Sequence, residues 1–120
     1  MNEGDDFWDF LERLVADSEV RIERQRHTAH PDYPDMIYPL DYGYLAGTSA
    51  ADGDEVDVWV GSGDTAQVSA VLVTVDLLKR DTEVKVLLGC TPAEQQQALA
   101  FLNGSGLLRA WLVPRPSDRR

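Results

Sequence analysis

Four carboxylates crowd the hexapeptide DGDEVD at positions 52 to 57: Asp52, Asp54, Glu55 and Asp57. An isolated strand gains nothing from that crowding. A hard divalent cation, by contrast, needs several oxygens converging within a few ångströms. A tight turn feeding a strand could supply them, with Asp52 and Asp54 from the turn and Asp57 from the strand. The alternative is an ordinary hairpin signal, since Asp-Gly between extended segments favours a tight turn. That alternative accounts for Asp52 and Gly53 and leaves Asp54 and Asp57 without a reason. A calcium EF-hand does not fit. Its loop requires glycine at the sixth position and glutamate at the twelfth, where this chain has Asp57 and Gly63.

Asp76 and Asp81 form a second acidic pair, placed at the tip between two valine- and leucine-rich runs. They could be two solvated turn carboxylates, one neutralised by Arg80. Asp76 also ends the apolar run VLVTVD, and a carboxylate beside a core is usually held by something. If this tip faces the DGDEVD turn, five aspartates converge, and they cannot all stay ionised without cations. A third element is the segment IYPLDYGY. Tyr38, Tyr42 and Tyr44 could be rim aromatics with wet hydroxyls, or one hydroxyl could donate to a phosphate oxygen. Gly43 would allow a close backbone approach.

The elements that must position these groups are legible in outline. Residues 5 to 17 read as a helix: Phe7, Trp8, Leu11, Leu14 and Val15 follow 3.6-residue spacing, with Asp5 or Asp6 as cap. That face suits a core, or a partner chain. Val20 to Arg24 alternates like an edge strand. Residues 29 to 44 hold three prolines and must be extended or looped. Val56, Val58 and Val60 alternate with Asp57 and Trp59, giving a half-buried strand that turns Asp57 away from the valine face. Val68–Leu78 and Glu83–Leu88 pair as a hairpin. Thr91-Pro92-Ala93-Glu94 is a helix start with a capping box, Ala98, Leu99 and Leu102 form its buried face, and Asn103-Gly104 ends it. Leu107 to Val113 reads as a final strand. The outcome is an α+β domain over residues 1–113, a small, mainly antiparallel sheet or barrel with two flanking helices. Residues 114–120 are expected to be a basic, disordered tail.

The bulk properties narrow the partners. The chain has 120 residues and a net charge of −10. Such a surface repels nucleic acid and anionic membranes. It equally repels phosphate unless divalent metals reverse the local sign. No run approaches a membrane span. The acidic N-terminus, MNEGDDFWDF, lacks the basic start of a secretory signal. A lone cysteine, Cys90, points to a reducing, cytoplasmic compartment.

Together the stretches IYPLDYGYLAGTSAADGDEVDVWV and Asp76-x4-Asp81 resemble the soluble, metal-dependent family I inorganic pyrophosphatases. Tyr38, Pro39, Tyr42, Gly43 and Tyr44, the DGDxxD run and the interval from Tyr42 to Asp52 match that family's pattern. The match covers roughly residues 36 to 85, and Asp41 stands where asparagine is usual. The resemblance implies an OB-like five-stranded barrel, magnesium as cofactor in several copies, pyrophosphate as substrate, and assembly into homo-oligomers. It implies Asp52, Asp57, Asp76 and Asp81 as metal ligands, with Asp57 bridging towards a second ion. Asp54 would orient or deprotonate the attacking water, and Tyr42 would bond a phosphate oxygen.

Departures thin the basic half of the site. Glu23 is the candidate for an early glutamate. His30 stands where an arginine is expected, and Arg24 or Arg26 could substitute. Glu83 replaces the lysine usual after the last aspartate, leaving Lys85 two residues on. Lys85 and Arg24 are therefore the substrate-binding cations. The leading reading is a short, divergent pyrophosphatase. The alternatives are a non-catalytic metal- or phosphate-binding module that lost its cationic grip, and a metal-dependent hydrolase of another small phosphoester.

Overall fold

The computed structural model describes residues 3–104 and 106–117. The elements run α1 (Glu3–Ala16), β1 (Glu19–Arg24), β2 (Asp41–Ala46), β3 (Val56–Val60), β4 (Val68–Asp76), β5 (Asp81–Leu88), α2 (Pro92–Asn103) and β6 (Leu108–Pro114). The six strands form one sheet in the order β1-β2-β3-β5-β4-β6. Every neighbouring pair is antiparallel except β3 and β5, which run parallel with Val58 opposite Val86.

The α+β class is as expected, but the sheet has six strands rather than five. Nor does it close: among the described residues no ladder joins β1 to β6. The reason lies in the final apolar run. β6 pairs with β4 from Ala70–Pro114 to Asp76–Leu108 and so covers the β4 edge that closure would need.

Both faces of the sheet carry a core. On one side α1 contributes Trp8 and Val15 to a cluster with Leu45, Val58, Val71 and Val86. On the other, α2 contributes Ala98 and Leu102 to a cluster with Tyr38, Leu40, Trp59, Leu72 and Leu87. Alternate residues of β3 feed the two sides, so Val58 and Trp59 are both fully buried. The expected half-buried strand is therefore buried on both faces. Asp57, two residues before Trp59, lies on the α2 side of the sheet by the same alternation.

Local signals explain the helix ends. Thr91 accepts a bond from the Glu94 amide, and the Glu94 carboxylate accepts from the Thr91 amide, the reciprocal capping box. Such a cap contributes about 1 kcal/mol. Glu94 also takes the Ser62 amide and so pins the loop after β3 to α2. Burial opposes its ionisation, but these amide bonds win and hold its carboxyl below the usual value. At the far end Gly104 has a φ of −83°, so its left-handed freedom is not used. Helix α1 begins at Glu3, which puts Asp5 and Asp6 inside its first turns rather than ahead of it.

Arg115, within the stretch expected to be a tail, pairs with Glu12 and, at 3.4 Å, with Asp9 of α1. Its amide bonds Ser69. Residues 118–120 lie outside the described residues. Cys90 is buried, and burial, helped by the Glu94 charge, pushes its thiol up to about 12 against the opposing effect of Ser69.

Candidate metal centre

The site is built at one end of the parallel β3/β5 junction. The turn before β3 is the Asp-Gly turn read from sequence. Gly53 has a φ of +92°, and the Asp54 amide bonds Asp52 Oδ1 at 3.1 Å. The β1–β2 pair reaches the same region through Tyr42. Gly43 lets the two strands approach: a methyl there would sit 1.9 Å from the Arg21 carbonyl oxygen. The close approach read from Gly43 is thus a strand contact, not a ligand contact.

On β5, Asp81, Glu83, Lys85 and Leu87 occupy alternate positions and so share one face. Leu87 belongs to the α2-side cluster, which identifies that face as the one carrying Asp57, Trp59 and Tyr42. Side-chain oxygens of Asp52, Asp81 and Glu83 all lie within 4.8 Å of one another. Asp81 Oδ1 is buried and has no hydrogen-bond partner among the described residues. A carboxylate oxygen in that condition is costly unless something positive meets it. Burial pushes the Glu83 carboxyl above its usual value. Lys85 pulls it back, and the charges of Asp57, Asp52 and Asp81 push it up again.

Next to this group sits Lys85, the only charged side chain classed as buried among the described residues. Its Nζ donates to Asp57 Oδ2 at 2.7 Å and to the Tyr42 hydroxyl at 3.1 Å, and lies 4.0 Å from Glu83 Oε1. The lysine side chain is 7% exposed and that of Asp57 26%. The Tyr42 hydroxyl is held well above its ordinary pKa, first by burial and then by the Asp57 charge. It is therefore a neutral phenol at neutral pH. Tyr42 packs on Trp59 and Tyr38, and the Arg24 guanidinium lies beside the Tyr38 hydroxyl.

The remaining expected residues stand apart. Asp76 Oδ1 accepts the amides of Leu78 and Lys79 at 2.9 and 3.0 Å, holding the β4–β5 turn, although its backbone stands opposite Asp81. Asp54 is exposed at the lip of the turn and is not among the three converging residues. Glu83 is the residue that sequence reasoning passed over, because it was read as a missing lysine. Its two-residue spacing from Asp81 was the signal that could have found it. A separate depression bordered by Arg26, Asp41, Ser62 and Glu94 lies towards the other end of β3 and contains none of these groups.

The donor set is all oxygen, which suits magnesium or another hard cation rather than a soft one. Among the described residues no helix is long and apolar enough to cross a membrane. Residues 19–106 match the sequence model of a family described as Inorganic Pyrophosphatase. A curated protein of Aeropyrum pernix, described as an inorganic pyrophosphatase, is 37% identical over 51 residues. The alignment covers 42% of this chain and 29% of that protein, so the matched stretch spans under a third of the relative's length.

Proposed function

Because the chain belongs to the inorganic pyrophosphatase family, a family of hydrolases, we propose that it hydrolyses pyrophosphate to two phosphates with magnesium. The observation that carries this reading is the meeting of Asp52 with Asp81 and Glu83, from two separate acidic stretches. The buried Asp81 Oδ1, without a hydrogen-bond partner among the described residues, fits a cation ligand. Asp52, Asp81 and Glu83 would hold magnesium, and Asp76 would join through its second oxygen. Magnesium there would neutralise phosphate charge and lower the pKa of a bound water.

The chain's own groups then have distinct work. Asp54, exposed at the lip, would orient the attacking water or take its proton. Tyr42 keeps its proton because of burial and Asp57, so it meets a phosphate oxygen as a donor and not as a charge. Arg24, beside Tyr38, is the cation best placed to bind substrate from the outer side. We also read β1 to β5, with β5 inserted between β3 and β4, as an OB-like arrangement to which β6 is added. Cytoplasmic residence, assembly into homo-oligomers and indifference to nucleic acid belong to the same reading.

A second reading has its own support. Lys85 is buried against Asp57, which leaves few cations to grip phosphate. A module that binds metal or phosphate without turnover would have this composition. One experiment separates the two. Phosphate release from pyrophosphate is followed with millimolar magnesium and with excess chelator, beside thermal melts in the same buffers. Magnesium-dependent release is expected. No release despite a magnesium-dependent rise in Tm would select the binding module. Release from other small phosphoesters but not from pyrophosphate would select the third reading.

A further inference from the structure

We propose that Lys85 is a built-in cation of this centre: its ammonium takes, beside Asp57, the place of a second divalent ion. The centre then holds one divalent ion, not two, when no substrate is bound. The inference rests on the metal centre proposed above, and concerns how many ions it takes.

Two-metal hydrolytic sites hold their ions about 3.5–4 Å apart, a spacing that one carboxylate can bridge with its two oxygens. Asp57 is the candidate by position, yet its Oδ2 already meets an ammonium at 2.7 Å. The arrangement follows from strand register. Lys85 precedes Val86, Asp57 precedes Val58, and those two valines are partners in the parallel β3/β5 pair. Glu83 joins the two halves, since it belongs to the converging carboxylates and lies 4.0 Å from Lys85 Nζ. The ammonium therefore sits next to the group where the first ion would bind, on the side of Asp57.

Displacement of this ammonium is disfavoured. The lysine side chain is 7% exposed, and a buried charge needs its partner. A divalent ion at Asp57 would set two cations against one carboxylate and take from the ammonium its partner at 2.7 Å.

The test is a count of bound manganese(II) by electron paramagnetic resonance on the full chain, in phosphate-free buffer. One ion per chain is expected for the parent and for Lys85→Arg. Lys85→Gln, checked for folding by circular dichroism, is expected to bind two. A parent that binds none, or two, overturns the inference, and so does a folded Lys85→Gln that still binds one. If Lys85→Gln does not fold, the parent count decides by itself. A count of one with no phosphate release would remove the pyrophosphatase reading and leave this inference standing.

Discussion

Asp57→Asn is expected to lose about 3 kcal/mol of folding stability, because it leaves the Lys85 ammonium buried without its counter-charge. Breaking a buried pair by removing one partner costs roughly 3–5 kcal/mol. The lower end applies because Asp57 is itself 26% exposed and the Tyr42 hydroxyl still accepts from Lys85. Urea unfolding reads the effect as a lower midpoint with an unchanged slope. The double variant Asp57→Asn with Lys85→Met should regain most of the loss, since an apolar replacement of a buried pair is often neutral. An unfolding free energy for Asp57→Asn within about 0.5 kcal/mol of the parent would mean that the pair is solvated and contributes nothing. Activity measured on this variant must therefore be read at a temperature where it is folded.

Asp81→Asn is expected to separate metal binding from packing by a reversal of sign. Without divalent ions it should match or exceed the parent in Tm, because it removes one of three crowded carboxylates. With millimolar magnesium the parent should gain Tm by mass action, and the variant should gain little. Its rate of phosphate release should fall at least a hundredfold, about 2.7 kcal/mol of lost transition-state stabilisation. Equal magnesium-induced gains in the two proteins would show that Asp81 is a turn residue and not a ligand.

Much of this was legible because it is local. The Thr91–Glu94 capping box, the turn at Asp52-Gly53 and the β4–β5 hairpin each lie within a few residues of chain. The alternation of Val56 and Val58 with Asp57 placed that carboxylate on the opposite face from the valines, and the structure agrees. What could not be read was which faces meet. The parallel pairing of β3 with β5 brings residues 57 and 85 together across 28 positions, and no turn signal announces it. Lys85 could thus be read as a substrate-binding cation, but its burial against Asp57 could not be read at all. Glu83 looked like a lost lysine because it was compared with a pattern. Compared with Asp81 and Lys85 on its own strand, it is the next carboxylate on the same face. Asp76 shows the converse limit. Its spacing from Asp81 was informative, but only coordinates reveal that one oxygen holds the turn.

The parallel β3/β5 junction also bears on kinetics. Its two strands cannot meet through a tight turn; the chain must first cross over by way of β4. Contacts of such sequence separation carry a loop-closure cost and tend to form late. Asp52 and Asp81 are therefore close only in a nearly finished fold, and an ion that needs both finds no site on the way there. Magnesium should then leave the refolding rate almost unchanged and slow unfolding, displacing only the unfolding arm of the chevron. An equal shift of the refolding arm would place the junction early instead. In that sequence of events the cation does not guide the chain to its structure; it prolongs the life of a structure already reached.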